Sequence, residues 1–351
     1  MFKRVLLVWT ILLLASFEIA LVEEPFVEEW SFDTSGTVEL QTGGVAHEIE
    51  YIGEIYDITT GDLDGNGKPE VILGLLLDDK GAKPSYIGKG GWVYVLSNEG
   101  NLKWSFKLKR NVGGIPAFVV SAGDLNGDLR GEVVAASYNL HIFDFKGSFL
   151  REYEIKAVVD DLVVSDLDGD GTSEIIFGLQ KSGSLFCLRK EGRALSWKFE
   201  TGGPIKALYA SDLDRDGFKE VIFSLDRYIY VLDYEGDELW YYFLREGIDA
   251  LTVADYNNDG EREILFAAQS KIYSIDKDGK KQKLVLETKK RVLSLKVADT
   301  NMDGANEIIY LTRSFKDEKS REITTYAGNL LIVNLDGNIL FQSTNSDVTD
   351  F

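Results

Sequence analysis

The sequence predicts an all-β protein, a six-bladed β-propeller whose blades are sheets of four antiparallel strands. Three observations support this prediction. One nine-residue motif occurs six times, successive copies from the second onward start 42 to 46 residues apart, and each repeat contains four short strand-like segments. A period of this length is typical of one propeller blade. No long 3.6-residue apolar period follows Glu23, so we expect minimal helix.

The first segment, residues 1–22, is predicted to be a signal peptide or an N-terminal membrane anchor. Lys3 and Arg4 precede an apolar run over 5–17, which is the order of a secretory signal. A small-x-small cleavage site is poor here. If uncleaved, 5–22 is marginally long enough to span a bilayer. A buried core helix is the alternative. We therefore expect an exported protein, extracellular or at the cell surface, with membrane contact through this segment if it is uncleaved.

The rest of the chain divides into three parts. Residues 23–49 are predicted to be an extension with one extra strand around Trp30, residues 50–345 to be the propeller, and residues 346–351 to be a short tail. The predicted fourth strands share a tryptophan, and these residues are Trp104, Trp197 and Trp240. Because the tryptophan repeats at one blade position, packing between blades is favoured over sugar binding.

The repeated motif has the form Asp-x-Asp/Asn-x-Asp/Asn-x-x-x-Glu. Its copies, numbered here as loops one to six, lie at 62–70, 124–132, 166–174, 212–220, 255–263 and 299–307. Short Asp and Asn side chains at positions one, three and five can aim several oxygens into a tight turn. Glycine at position six permits positive φ, position seven offers its backbone carbonyl, and the glutamate at position nine closes the shell. Hard oxygen ligands in a flexible loop favour Ca²⁺ over Zn²⁺ or Mg²⁺.

The motif thus predicts up to six Ca²⁺ ions, with Asx turns that hold no metal as the alternative. The candidate ligands are Asp62, Asp64, Asn66, Lys68, Glu70, Asp124, Asn126, Asp128, Arg130, Glu132, Asp166, Asp168, Asp170, Thr172, Glu174, Asp212, Asp214, Asp216, Phe218, Glu220, Asp255, Asn257, Asp259, Glu261, Glu263, Asp299, Asn301, Asp303, Ala305 and Glu307. Loops three and four carry four carboxylates each and should bind best. Leu129 replaces the position-six glycine of loop two, so this loop is expected to be the first empty one.

The loops and their flanks resemble the Phe-Gly/Gly-Ala-Pro repeats of integrin α chains and the related repeats named after Vibrio, Colwellia, Bradyrhizobium and Shewanella. The resemblance covers about 50–345 and implies calcium between the first and second strands of each blade, with an adhesive or scaffold role. A weaker resemblance links VLSNEGNLKW at 95–104 and VLDYEGDELW at 231–240 to the tryptophan-docking strands of quinoprotein propellers. The vicinal disulfide of quinoprotein dehydrogenases is impossible with the single cysteine, Cys187.

Composition restricts the function. A net charge of −20 argues against a nucleic-acid partner. With one cysteine and two histidines, the sequence has few side chains suited to thiol, zinc or acid–base chemistry. We therefore expect a binding, adhesion or scaffold module for a protein or glycan, not an enzyme. The alternative is a quinoprotein-like dehydrogenase or a polysaccharide lyase or hydrolase. The insertions at 78–90 and 314–327 both join second to third strands, so we expect them on the face opposite the motif loops. They are the candidate partner site, but solvated mobile loops are the favoured interpretation.

Overall fold

The computed structural model describes residues 36–42, 45–79, 90–108, 118–189, 191–314 and 327–342. These residues form twenty-five β-strands in six sheets, and they contain no α-helix. The six-bladed propeller of four-stranded antiparallel blades predicted from the sequence is confirmed. The predicted signal or anchor segment, the strand around Trp30 and the tail at 346–351 lie outside the described residues.

The strands follow the chain blade by blade. Blades one and two contain β1 (Gly36–Thr42), β2 (Val45–Gly61), β3 (Glu70–Asp79), β4 (Gly90–Leu96), β5 (Leu102–Lys107), β6 (Val119–Gly123), β7 (Glu132–Ala136), β8 (Leu140–Phe143) and β9 (Phe149–Tyr153). Blades three and four contain β10 (Val159–Ser165), β11 (Glu174–Leu179), β12 (Ser184–Arg189), β13 (Ala194–Glu200), β14 (Ala207–Ser211), β15 (Glu220–Ser224), β16 (Tyr228–Leu232) and β17 (Glu238–Phe243). Blades five and six contain β18 (Ala250–Ala254), β19 (Glu263–Ala268), β20 (Lys271–Ile275), β21 (Gln282–Glu287), β22 (Arg291–Ala298), β23 (Glu307–Ser314), β24 (Ala327–Val333) and β25 (Ile339–Gln342).

Blade one has one strand more than the other blades. β1 pairs antiparallel with the first part of β2, from Gly36 opposite Tyr51 to Thr42 opposite Val45. β2 has 17 residues, so it pairs with β1 before its last part serves as the first strand of the blade. β1 thus places an extra strand within the predicted 23–49 extension, while the domain boundaries themselves stay predictions.

Apolar layers between neighbouring blades form the core. The second strands β7, β11 and β15 are buried at every residue, whereas the fourth strands β5 and β17 alternate between exposed and half-buried positions. One such layer joins Val93 and Val95 of blade one to Phe118 and Phe143 of blade two. Strands in the middle of a blade therefore carry continuous apolar runs. Cys187 is fully buried in β12, as expected of a core residue.

The shared tryptophans connect the fourth strand of their blade to the next blade through hydrogen bonds and packing. Trp197 in β13 donates its indole N–H to the carbonyl of Tyr234, in the turn between the third and fourth strands of blade four, at 3.0 Å. Gly236 of this turn has φ +90°, and a Cβ there would lie 2.6 Å from the indole. Trp104 with Gly147, and Trp240 with Gly279, repeat the arrangement. The predicted packing between blades is confirmed.

Candidate metal centres on one face of the propeller

All six motif copies occupy the same place in their blades, the connection between the first and second strands. The register is the same in each blade, because the residue before the motif pairs with the position-nine glutamate. Gly61 lies opposite Glu70, and Ser211 lies opposite Glu220. Since each glutamate opens a second strand, its side chain is fixed at the end of a hydrogen-bonded ladder. The six loops therefore share one face of the propeller.

The first aspartate of each loop orders the backbone. One of its carboxylate oxygens accepts a hydrogen bond from the position-six N–H in every copy, and the donors are Gly67, Leu129, Gly171, Gly217, Gly260 and Gly304. The position-five oxygen accepts from the position-seven N–H in every copy, at 2.8 to 3.0 Å. These bonds turn the loop around its oxygen-bearing side chains. Ligation by the position-seven carbonyls stays a prediction.

Two positions in each loop have the left-handed backbone conformation. Position four has φ between 59° and 79°, and position six has φ between 66° and 95°, in all six copies. Leu129 takes φ 66° at position six of loop two, and its side chain is 83% exposed. Leucine in place of glycine at position six puts the backbone geometry of loop two in doubt. Loop two nevertheless keeps the backbone conformation of the other loops. Whether it is the first empty site stays a prediction.

Five of the six position-nine glutamates are buried, Glu263 is half-buried, and the five buried ones accept a hydrogen bond from the backbone of their own loop. Glu70, Glu132, Glu174 and Glu220 accept from the position-two N–H at 2.8 to 2.9 Å, and they are 2% to 6% exposed. Burial, together with a smaller effect of neighbouring loop aspartates, raises the pKa of Glu132, Glu174 and Glu220 to about 7. Glu263 in loop five behaves in the same way. Loops two to five thus each hold a carboxylate whose charge is costly without a nearby cation.

The oxygen sets fit a hard divalent cation. In loops one, three and four, three carboxylates each place an oxygen within 4.8 Å of the others, and they are Asp62–Asp64–Glu70, Asp166–Asp168–Glu174 and Asp212–Asp214–Glu220. The other loops have asparagine at position three. Asp64 Oδ1, Glu263 Oε2 and Asp299 Oδ1 are buried oxygens without a hydrogen-bond partner. Buried oxygens that lack a donor are suited to coordinate Ca²⁺, which takes six to eight oxygens.

Backbone hydrogen bonds join successive loops. The position-eight N–H of one loop donates to a carbonyl of the preceding loop, from Gly131 to Leu63 at 3.0 Å and from Ser173 to Asp124 at 2.6 Å. Lys219 makes the same bond to loop three. The sequence did not reveal these contacts, because position eight varies freely in residue type. Loops one to four are therefore joined into one continuous surface.

A cavity of about 360 Å³ opens on this face between loops one, two and three. Its lining includes Gly123, Gly131, Leu129 and Arg130. A Cβ on Gly131 would come within 2.8 Å of the side chain of Leu63, so glycine permits the close approach of the two loops. Residues 80–89 and 315–326, which make up most of the candidate partner site, lie outside the described residues.

Comparisons with known proteins agree with the fold. A family model described as the lambda-carrageenase beta-propeller domain matches residues 132–209, a stretch that runs from β7 to β14. A comparison with curated proteins finds none that matches this chain. The class of protein that these results define is the β-propeller with six blades. Neither the family model nor the structures below is described as an integrin-α-like repeat, so that resemblance stays a prediction.

Three solved structures illustrate the likeness. The exotype rhamnogalacturonan lyase YesX has a TM-score of 0.56 and 16% identity, over 89% of this chain and 69% of the other. The Bacillus licheniformis rhamnogalacturonan lyase PL11 has a TM-score of 0.52 and 18% identity, over 91% of this chain and 63% of that one. BBS1N, solved in complex with ARL6DN, has a TM-score of 0.51 and 12% identity, over 73% and 88%. Identities this low establish similarity of fold alone.

Proposed function

We propose that the protein is a calcium-binding β-propeller that acts as a binding, adhesion or scaffold module for a protein or glycan partner. The single observation that supports this proposal is the set of six loops, which repeat one backbone geometry and one pattern of oxygen side chains on one face. Calcium would neutralise the buried glutamates and fix the loops against each other. A rigid blade ring would then present the remaining loops to the partner.

Calcium binding is tested most sharply in loop four. Asp214 belongs to its carboxylate set, and Asp237 of the same blade belongs to a second acidic cluster, Asp233–Glu235–Asp237. This second cluster is a turn in which Asp233 Oδ1 accepts from the N–H groups of Glu235 and Asp237. Asp214→Ala should therefore remove one calcium site in isothermal titration, while Asp237→Ala should keep the wild-type number of sites. Equal stoichiometry in both variants would contradict the assignment.

The export proposal depends on residues 1–22, which lie outside the described residues. No helix among the described residues is long and apolar enough to cross a membrane. We propose that the segment directs the propeller to the cell surface or beyond, where free calcium is abundant enough for loops of moderate affinity. Fractionation of cells that express the intact chain and a chain lacking 2–22 tests this. Recovery of both chains in the cytosol would contradict it.

The second candidate is a polysaccharide lyase, supported by the fold similarity to rhamnogalacturonan lyases. Polar groups on the first strands of several blades also favour a lyase. Lys296 on β22 donates to the Tyr209 hydroxyl on β14 at 3.0 Å. Two carboxylates, Asp57 on β2 and Asp161 on β10, lie on first strands as well. However, Tyr209 donates to the Leu251 carbonyl and Asp57 accepts from the N–H of Val120, so these groups also join neighbouring blades. We therefore rank binding first.

A lyase assay separates the two candidates. Uronic-acid polysaccharides are incubated with the intact chain and with Lys296→Met, and the unsaturated product is followed by its ultraviolet absorbance. Product formation that Lys296→Met abolishes, with the fold retained by circular dichroism, would replace the binding proposal by the enzymatic one. Absence of product from any substrate, together with capture of an immobilised glycan, supports the binding module.

A further inference from the structure

A lysine already contacts two predicted calcium ligands of loop one. The Nζ atom of Lys103 lies 2.8 Å from Asp64 Oδ2 and 2.8 Å from Glu70 Oε1. Lys103 belongs to β5, the fourth strand of the same blade, so its ammonium enters from outside the loop. The hydrogen bond from Lys103 holds the pKa of Asp64 below its usual value. Two of the three clustered carboxylates in loop one thus have a cation within the protein.

An arginine takes a similar position at loop three. Nη1 of Arg189 lies 3.0 Å from Asp168 Oδ2, and its Nε lies 3.5 Å from Glu174 Oε1. This Nε is buried without a hydrogen-bond partner. Arg189 comes from the third strand of its blade, β12, whereas Lys103 comes from a fourth strand. Two different places in the blade therefore supply a cation to the same pair of ligand positions, three and nine.

Loop four provides the contrast. Asp214 and Glu220 also bring positions three and nine together, but no basic side chain among the described residues forms an ion pair with either of them. In loops two and five the position-three residue is asparagine. Its amide donates to the position-nine glutamate, from Asn126 to Glu132 at 2.9 Å and from Asn257 to Glu263 at 3.1 Å. Of the three loops with clustered carboxylates, loop four is thus the one without such an internal cation.

We propose that Lys103 and Arg189 are built-in counter-ions of loops one and three, which calcium must displace before it can bind there. Because an ammonium or guanidinium occupies carboxylate oxygens that Ca²⁺ needs, displacement lowers the apparent affinity of these two loops. Loop four then fills before loop three, although both carry four carboxylates. Without metal, the same cations offset the repulsion between the loop carboxylates. The inference rests on the proposed calcium function and divides its sites into two classes.

The metal arm of the test uses Lys103→Met, which keeps the length of the side chain and removes its charge. Calcium titration should then show one site about tenfold tighter than in the wild type, or one additional measurable site. Lys107→Met is the matched control, because Lys107 lies on the same strand over the ring of Trp92, 5.5 Å from its centroid. It should leave the titration unchanged. Adding Asp64→Ala to Lys103→Met should abolish the gained site.

The metal-free arm measures thermal unfolding in excess chelator. Lys103→Met should lower the melting temperature more than Lys107→Met, because Asp64 and Glu70 lose their counter-ion. Arg189→Met repeats the test at loop three. Its control is Arg193→Met, whose partner Glu191 is no predicted ligand. Circular dichroism confirms that each variant is folded, and Lys103 and Arg189 contact different loops, so failure of one variant to fold leaves the test at the other loop.

The outcomes separate the two proposals. If the wild type binds no calcium, the calcium function fails, and the chelator arm alone decides whether Lys103 and Arg189 stabilise their loops. If the wild type binds calcium but Lys103→Met and Arg189→Met bind it with unchanged stoichiometry and affinity, the counter-ion inference is wrong and the calcium function stands. Equal melting temperatures of Lys103→Met and Lys107→Met in chelator would also overturn the inference.

Discussion

Gly236→Ala tests how the blades are fastened together. Gly236 has φ +90°, and a Cβ would lie 2.6 Å from Cδ2 and 2.7 Å from Cγ of Trp197. Positive φ costs alanine about 1 kcal/mol relative to glycine. The indole must also shift, which costs about 1–3 kcal/mol for overpacking and about 1 kcal/mol for the lost hydrogen bond to the Tyr234 carbonyl. We expect a total loss of about 3–5 kcal/mol of unfolding free energy, the sum of these terms.

The matched control is Gly202→Ala. Gly202 has φ +75°, and no atom lies within 4 Å of its added Cβ, so this variant measures the backbone term alone. Urea unfolding followed by far-ultraviolet circular dichroism should place Gly236→Ala about 2–4 kcal/mol below Gly202→Ala. In a Trp197→Ala background the cost of Gly236→Ala should fall to that of Gly202→Ala, since the clash is gone. Equal losses in the two single variants would refute the role of Trp197 as an inter-blade contact.

Two further predictions concern metal and pH. Excess chelator should lower the melting temperature of the wild type, because a ligand that binds only the folded state stabilises it by about 2.7 kcal/mol at a hundredfold excess over its dissociation constant. In the presence of calcium, Asp214→Ala should lower the melting temperature, whereas Asp237→Ala should not. In chelator, stability should fall as the pH rises from about 5 to about 7. Burial raises the pKa of Asp161 and Glu220 to about 7, so the folded chain binds more protons than the unfolded chain in this window. Asp161→Asn should reduce the slope of stability against pH in urea unfolding, and an unchanged slope would contradict the shift.

Periodic features of the sequence predicted the fold well. The number of motif copies predicted the number of blades, because each copy marks the same connection within its blade. The tryptophans of three fourth strands gave the inter-blade contact, since Trp104, Trp197 and Trp240 recur at one blade position. Both predictions depend on local patterns that repeat, so several copies of one pattern support the same assignment.

Features that depend on contacts between distant residues were not predictable in this way. Lys103 contacts predicted ligands that lie 33 and 39 residues earlier in the chain, and no periodic pattern marks it.

The backbone conformation of Leu129 was not predicted either. Its loop is held by the Asp124 carboxylate, which accepts from the Leu129 N–H at 2.7 Å, and this bond offsets the cost of positive φ. Residue type at position six is therefore a poorer guide to loop geometry than the first aspartate.

Loop four tests most directly whether the geometry shared by the six loops holds calcium. A crystal structure grown with Ca²⁺, and a second with Tb³⁺ for its anomalous scattering, would locate the ions. We expect an anomalous peak in loop four within coordination distance of Asp212, Asp214, Asp216 and Glu220. Peaks in loops one and three should be weaker or absent while Lys103 and Arg189 keep their contacts. A structure at saturating metal with water in loop four, and no anomalous peak in any of the six loops, would contradict this expectation.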